Sequence, residues 1–342
     1  MNPNELIQAA VSGDSGVDLF VLSAPGDFYS MKEKGYISAL NTSEKLIGEA
    51  RKLYPAMQDV VFSGDSLLGY PVSVSPKSWM VNETKWNEMN LGDYPKTYNE
   101  LFEKIEMWLN EYAADYPEYT LADVQQMGLN TLVLSMVEAY IHEKEASGMQ
   151  LTFDTPSFRE MMKCVSDNAY LLSEENEQWG MPLLTSMYLG FGTCYTDSDL
   201  NRMILPPALD LNGKQSLYAE MSILAVNAAS KNAEVATRFV EFCAENLSNT
   251  VRYEMEPALN EPVESSAYYV RVAELQGKIN DLAEQLEKAD QDARYAIKEK
   301  IIQAEAKLEQ LEERKWEIDP KSIEIYRSAA ENLKVSYKSP LL

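Results

Sequence analysis

The stretch SGDSGVDLFVLSAPGDFYSMKEKGYISAL, residues Ser12–Leu40, changes its hydrophobic pattern in a way that indicates the fold class. Its apolar run Val17–Leu22 predicts a short buried strand, because polar and turn-forming residues bound it on both sides. The run ends in the loop SAPGD, and a helical pattern follows over Asp27–Lys34 until Gly35 ends it. A buried strand, a loop and a helix in this order are typical of α/β proteins, which place binding sites in such loops.

The composition limits the classes of function. The chain has 342 residues, which favours two domains over one, and 45% of them are hydrophobic, enough for a large core. Asp and Glu number 54 against 30 Lys and Arg, a formal net charge of -24. Because such a field repels phosphate backbones and anionic membrane surfaces, we expect no nucleic-acid partner. No segment reaches the apolar length of a membrane span, and the first residues lack the pattern of a signal peptide.

Strand-like and helix-like patterns alternate further along the chain. Gly69–Asn82 alternates β-branched and polar residues and contains two prolines, which predicts strands with a bend. Thr97, with Glu100 three residues later, is typical of a helix start. Residues 121–150 have a helical pattern, and Met221–Asn246 reads as a strand, a turn and an amphipathic helix. The order again favours an α/β fold.

The segment Val270–Trp316 differs from the rest, because it is rich in Ala, Glu, Lys, Leu and Gln and contains no Pro. Apolar residues recur in it with a 4-3-4 spacing, in two sets: Leu275, Ile279, Leu282 and Leu286, then Ile297, Ile301, Ala304, Leu308 and Leu311. The phase shifts between the sets, which predicts an antiparallel helical hairpin turning near Ala289–Asp292; a single long helix with a stutter is the alternative. We interpret it as a structural spur in preference to a partner-binding coiled coil.

The motifs that would carry catalysis are incomplete. His142 is the single histidine, and Cys164, Cys194 and Cys243 are too widely spaced for a metal motif or a disulfide framework. The segment Thr196–Asn201 starts like an EF-hand loop, but the Gly and Glu that the loop needs are absent. No glycine-rich phosphate loop is present. We therefore predict no catalytic residue, no cofactor and no metal, although a glycosidase needs only two well-placed carboxylates and is not excluded by the sequence.

Three stretches, in this order and at these separations, carry a resemblance to a known family: LIQAAVSGDSGVDLFVLSAPGDFYSMKEKGYISALN, LLGYPVSVSPKSWMVNETKWNEMNLGDYPKTYNELFEKI and YAEMSILAVNAASKNAEVATRFVEFCAEN. A weaker fourth is FDTPSFREMMKCV. Together they resemble the extracellular solute-binding proteins of ABC importers, in the large sugar-binding group that includes maltose-binding protein. Each stretch alone has little specificity, and the order carries the resemblance.

The resemblance implies a two-lobe periplasmic-binding-protein-like fold of type II, with an inserted helical hairpin at 270–316. Lobe one would comprise residues 1–73 and 225–262, and lobe two residues 74–224 and 263–342. The crossings between the lobes would lie near Val72–Ser75 and Glu220–Leu224, with a third near Asn260–Glu264. Members of the family have a strand and a helix before the first stretch and helices after the last residues here, so we expect the chain to be trimmed at both termini and lobe one to be incomplete.

The resemblance also implies a ligand site in the cleft between the lobes. Aromatic planes would take the apolar faces of a sugar, and carboxylates, hydroxyls and Lys its hydroxyl groups. The residues expected there are Ser23, Asp27, Phe28, Ser75, Lys77, Trp79, Trp179, Tyr188 and Glu220. Asp27 is equally interpretable as a cap of the helix that follows it. We assign Trp86 and Trp108 to the core, because both lie on amphipathic patterns.

The function that the resemblance implies is that of an extracytoplasmic receptor without enzymatic activity. It would bind a carbohydrate and deliver it to the membrane subunits of an ABC importer. We expect a monomer that is lipid-anchored at the bacterial cell membrane, with the leader absent from this chain. Two alternatives stay open: a glycoside-processing enzyme with an acidic, aromatic cleft, and an interaction protein that uses the helical hairpin.

Overall fold

The computed structural model describes residues 12–335, apart from 14–15, 25, 147–149, 177, 190–192, 197–198, 210–214 and 313–314. The chain divides into two compact units, one formed by Met1–Leu259 and Ile325–Leu342 and the other by Asn260–Glu324. No helix in the described ranges is both long and apolar enough to cross a lipid bilayer.

Strands and helices alternate through most of the first unit. In the described residues the strands are β1 (Leu19–Ala24), β2 (Ile37–Ser38), β3 (Phe62–Ser63), β4 (Ser66–Leu67), β5 (Tyr70–Asn82), β6 (Tyr119–Ala122), β7 (Met181–Leu189), β8 (Thr193–Thr196), β9 (Asp199–Ile204), β10 (Tyr218–Asn227), β11 (Val263–Glu264), β12 (Trp316–Ile318) and β13 (Lys334–Val335). The helices are α1 (Gly26–Glu33), α2 (Glu44–Ala50), α3 (Pro55–Val61), α4 (Glu83–Glu88), α5 (Tyr98–Glu111), α6 (Val124–Ala146), α7 (Pro156–Asn168), α8 (Ala233–Glu245), α9 (Asn249–Met255), α10 (Ser266–Lys288), α11 (Gln291–Glu312) and α12 (Pro320–Ala330).

The stretch Ser12–Leu40 folds as a strand, a loop and a helix, with shifted bounds. Strand β1 begins two residues later than the apolar run and continues to Ala24, because its pairing with β10 extends from Leu19 opposite Val226 to Ala24 opposite Met221. Helix α1 ends at Glu33, and the turn that follows contains Gly35, whose φ of 69° is left-handed and therefore favours glycine.

The main sheet of the described residues runs in the order β1-β10-β5-β7-β6, and β2, β13, β9 and β8 extend it at the sides. Strand β10 lies antiparallel between β1 and β5. The thirteen-residue strand β5 changes partners along its length. Tyr70–Lys77 pairs with β10, whereas its last residues pair with β7 and β9. Gly69–Asn82 thus forms one long strand with irregular pairing, and its two prolines do not divide it.

Helices pack on parts of the sheet, with α1 against β1, α8 against β10 and α9 against β5. Helix α5 begins at Thr97, as the sequence predicts, with the Thr97 hydroxyl accepting a hydrogen bond from the Glu100 amide at 3.2 Å. Trp86 and Trp108 are 1% and 0% exposed, which confirms their assignment to the core. Residues 121–150 differ from the helix expected there, because the chain finishes β6 at Ala122 and α6 is interrupted at Gly128, where φ is 77°.

The second unit contains α10 and α11, which pack against each other and are joined by Ala289–Asp290. A short ladder of β11 with β12 pairs Val263 with Ile318 and Glu264 with Trp316. Few apolar side chains are buried on these two helices. Among the described residues they are Leu282 and Ala304. The seam positions Leu275 and Leu308 stay half-exposed.

Candidate functional site

A polar depression lies on one face of the main sheet, where β1, β10 and β5 run side by side. Successive side chains of a strand point to opposite faces. On one face Ala24, Met221 and Val74 are 4%, 2% and 6% exposed, so this face is packed against the core. Their neighbours along the strands are polar and exposed or half-buried, so the opposite face is open to solvent.

Serine hydroxyls form most of the polar lining. The strand register places Ser23 opposite Ser222, and Ser222 opposite Ser73, so three hydroxyls form a row across the three strands. The next row pairs Glu220 with Ser75. These five residues, together with Ala24 and Met221, which stand between them along the strands, line a depression of about 80 Å³. Closely spaced hydroxyls and a carboxylate are suited to hydrogen-bonding a polar solute.

Lys77 joins the depression to helix α6. Its Nζ lies 3.2 Å from Glu220 Oε1 and 2.7 Å from Glu138 Oε1, which α6 supplies. Burial by itself lowers the pKa of Lys77, but the hydrogen bonds and charges of Glu138 and Glu220 outweigh it and raise this pKa above its ordinary value. Lys77 is therefore an ammonium at neutral pH, held between two carboxylates.

Asp27 borders the depression from the loop side. The Ser23 hydroxyl donates to Asp27 Oδ2 at 2.7 Å, and Asp27 stands in the first turn of α1. A carboxylate in this turn interacts favourably with the helix dipole, so Asp27 stabilises the helix start as well as bordering the depression. Five of the residues expected at the site, Ser23, Asp27, Ser75, Lys77 and Glu220, are thus brought together by the fold.

Tyr218 extends the same face of β10, two residues before Glu220. Lys334 of β13 lies with its Nζ 5.7 Å from the centroid of the Tyr218 ring. Burial, followed by the charge of Glu143, raises the pKa of the Tyr218 hydroxyl to about 12. The Tyr218 hydroxyl therefore stays protonated at neutral pH.

Two aromatic residues expected at the site are in the core instead. Phe28 is 0% exposed, because α1 turns it inward towards Gly69. Trp79 is 4% exposed, and the last part of β5 is covered on both faces, with Ser78 and Asn82 also buried. After Lys77 the alternation of polar residues in β5 therefore no longer predicts which side chains are exposed.

The two remaining aromatic residues are not placed against the depression. Trp179 is 73% exposed on the segment that precedes β7, and it is absent from the residues that line the depression. Tyr188 pairs through its backbone with Ser78 in the sheet, but its side chain lies outside the described part of the structure, as does that of His142. Both Trp179 and Tyr188 stay predictions.

Ser73, Ser222 and Glu138, which supply polar groups to the site, were not expected from the sequence. Ser73 and Ser222 stand two positions from Ser75 and Glu220, so the two-residue period of a strand would have identified them. Glu138 comes from α6, 61 residues after Lys77 in the sequence. Two residues so far apart leave no local pattern in the sequence that would pair them. Their contact is visible only in the structure, where α6 packs on the sheet.

Comparisons with known proteins give matches in structure and not in sequence. No family model and no curated protein matches the chain. An ABC substrate-binding protein from Listeria monocytogenes, solved in complex with cycloalternan, is similar over 98% of this chain and 78% of that chain, with 11% identity and a TM-score of 0.51. Maltose-bound MalE3 of T. maritima is similar over 96% of this chain and 87% of that chain, with 11% identity and a TM-score of 0.50.

The fold is that of the ABC transporter solute-binding proteins. This confirms the α/β, periplasmic-binding-protein-like class that the sequence resemblance implies. A solute-binding protein from Thermotoga lettingae TMO, bound with α-D-tagatose, has 17% identity and a TM-score of 0.45, over 70% of this chain and 65% of that chain. The chain thus spans just under two thirds of the length of that relative. At these identities the likeness concerns the solute-binding-protein fold alone.

Proposed function

We propose that the chain is an extracytoplasmic solute receptor that binds a carbohydrate in the depression on β1, β5 and β10. The observation that carries the proposal is the position of this serine- and carboxylate-lined depression, on the strands that the sequence resemblance assigns to the crossings between two lobes. Structural relatives are solved with maltose and with cycloalternan, both carbohydrates. The hydroxyls and carboxylates of the depression suit a ligand of the same chemistry.

The proposed lobes are residues 1–73 with 225–262 and residues 74–224 with 263–342. In this arrangement β5 and β10 connect the lobes, and the depression lies where they cross. Small changes of φ and ψ in extended segments swing a lobe as a rigid body. A ligand that contacts both lobes would shift the population towards the closed state.

The chemistry of binding follows from the donors and acceptors present. The carboxylates of Asp27 and Glu220 accept hydrogen bonds from sugar hydroxyls, and the serine hydroxyls both donate and accept. Charge-assisted hydrogen bonds are the stronger ones, so Asp27 and Glu220 contribute most to orienting the ligand. Trp179 and Tyr188 are proposed to cover an apolar face of the sugar when the lobes close.

The remaining parts of the proposal concern the setting of the protein. We propose that it has no enzymatic activity and that it acts as a lipid-anchored monomer at the outer side of the bacterial cell membrane. Its partners would be the membrane subunits of an ABC importer, which receive the bound sugar. The alternative of a glycoside-processing enzyme differs in one measurable respect, since an enzyme changes the sugar and a receptor releases it unaltered.

The test is a thermal-shift and calorimetry screen of the purified chain against mono- and oligosaccharides, including maltose and cycloalternan. A ligand present at 100 times its Kd stabilises the folded state by about 2.7 kcal/mol, which is a clear rise in Tm. Ser75→Ala and Ser222→Ala should weaken binding, whereas Ser30→Ala, an exposed serine of α1 outside the depression, should not.

Two outcomes would contradict the proposal. An unchanged Tm across the whole sugar panel would remove the receptor assignment. Shortened saccharides or new reducing ends, detected by chromatography after incubation, would replace it with the enzyme alternative.

A further inference from the structure

We infer that the depression selects its ligand by charge, favouring hydroxylated solutes that carry an ammonium group over neutral ones and rejecting those that carry a carboxylate or a phosphate. Amino sugars are therefore the chemical class that should bind most tightly, and sugar acids and sugar phosphates should bind most weakly. The inference rests on the proposed function, because it concerns the ligand of the same site.

The first step is the charge of the groups that border the depression. Asp27, Glu138 and Glu220 contribute three negative charges, and Lys77 contributes one positive charge, so the cluster has a net charge of about -2. Among the residues that line the depression itself, Glu220 is the charged one, and the others are serines, Ala24 and Met221.

Among the described residues, two charged groups next to Tyr218 have opposite signs and do not change this net charge. Tyr218 is flanked by Glu143, which acts on its hydroxyl, and by Lys334, whose ammonium lies over its ring. One charge of each sign cancels, and the net value of about -2 is kept. The chain as a whole has a formal charge of -24, so its long-range field also disfavours the approach of anions.

The second step is that Lys77 is committed to protein carboxylates. Its ammonium group contacts Glu138 at 2.7 Å and Glu220 at 3.2 Å. A ligand carboxylate at Lys77 would add a third negative charge around an ammonium that two carboxylates already face, and it would be repelled by both of them. A ligand ammonium meets no such repulsion from Glu220 or Asp27, which it can approach from the open side of the depression.

The experiment compares sugars of one skeleton that differ in charge. The probes are glucose, glucosamine and glucuronate, with the corresponding galactose and mannose series, titrated by calorimetry at low and at physiological ionic strength. We expect the amino sugar of the binding series to have the lowest Kd, and the uronate to bind at least about tenfold more weakly than the neutral sugar. The differences should shrink as salt screens the charges.

Two variants assign the selectivity to the cluster. Glu220→Gln and Asp27→Asn keep the shape of each side chain and remove one negative charge, and either should narrow the ratio between amino sugar and uronate. Glu331→Gln, an exposed position at the end of α12, is the matched control and should leave the ratio unchanged. Using two variants keeps the test informative if one of them fails to fold.

The outcomes separate this inference from the proposed function. If neutral sugars bind and the uronate of the same skeleton binds as tightly, charge selection is overturned and the receptor assignment stands. The inference also fails if Glu220→Gln and Asp27→Asn leave the ratio of the Kd values for amino sugar and uronate as it is in the unchanged protein. The cluster would then not be the source of the selectivity. If no member of any series binds, and no sugar of the wider panel does, both proposals are overturned.

Discussion

Gly69 stands just before β5, where β10 and α1 approach the backbone closely. A Cβ atom placed on it would lie 2.5 Å from Ile223 Cγ2, 2.8 Å from Phe28 Cε2 and 2.9 Å from the Leu224 carbonyl oxygen. We expect Gly69→Ala to lower the free energy of unfolding by about 1–3 kcal/mol, the usual cost of overpacking a core. The measurement is urea unfolding followed by circular dichroism.

Gly48 is the matched control for this substitution. It lies within α2, and nothing is within 4 Å of a Cβ placed on it. Because alanine is the better helix former, Gly48→Ala should be neutral or stabilising by up to about 1 kcal/mol. Equal effects at the two glycines would show that the contacts around Gly69 do not limit the packing.

Glu254 is a carboxylate buried beside the core. It is 3% exposed, and this burial raises its pKa from 4.5 to about 8. Between these pH values the folded state holds a proton that the unfolded state releases, so stability falls as pH rises, by up to ~1.4 kcal/mol per pH unit. Below pH 4.5 Glu254 is protonated in both the folded and the unfolded state. Above pH 8 it is ionised in both, and the free energy of unfolding falls no further.

Glu254→Gln tests this linkage, because glutamine cannot ionise. The variant should have a higher Tm than the unchanged protein at pH 8, and the difference should largely vanish at pH 5. Glu331→Gln, which removes an exposed carboxylate, should leave the pH profile of Tm as it is. A profile that Glu254→Gln does not flatten would mean that other groups produce the pH dependence.

Helix α5 shows how one element is defined by its first residue. The Thr97 hydroxyl caps the Glu100 amide, and the Glu100 carboxylate accepts a hydrogen bond from the Lys96 amide at 2.7 Å. Thr97→Ala should therefore cost about 1 kcal/mol of stability, whereas Thr97→Ser keeps the capping oxygen and should cost less. Chemical unfolding of both variants gives the comparison, and equal losses would assign the effect to the methyl group instead of the cap.

At the scale of the whole molecule, the two units differ in how much apolar surface they bury. Helices α10 and α11 bury little besides Leu282 and Ala304, while residues of β10 such as Ile223, Ala225 and Val226 are 0% exposed. Helices depend on tertiary packing for most of their stability, so we expect amides of α10 and α11 to exchange hydrogen much faster than those of β10.

Hydrogen exchange followed by mass spectrometry measures this difference, with α8 as the helical control. Helix α8 buries Ala236 and Val240 against the first unit and should be protected. Protection in α10 and α11 equal to that of α8 would contradict the expectation and would point to a partner on those helices, as in the interaction-protein alternative.

The sequence predicts the order of the elements better than their neighbours in space. The stretches around β1, α5 and β5 have local signals, namely an apolar run, a helix cap and strand alternation, and these elements form in the structure. Residues of the proposed site were predictable where they lie on a strand, as for Ser75 and Glu220. Glu138, and the burial of Phe28 and Trp79, depend on how separate elements pack, for which a single sequence has no local signal.

The change of partners along β5 has a consequence for how this protein can vary during evolution. Lys77 is the position at which the strand leaves β10 and joins β7, and Ser73–Lys77 pair with β10 in unbroken register. Inserting or deleting one residue before Lys77 would turn every later side chain to the opposite face of the sheet. We therefore expect homologues to replace residues within β5 freely at its exposed positions but to keep its length, so that gaps in their alignments fall in the loops around it.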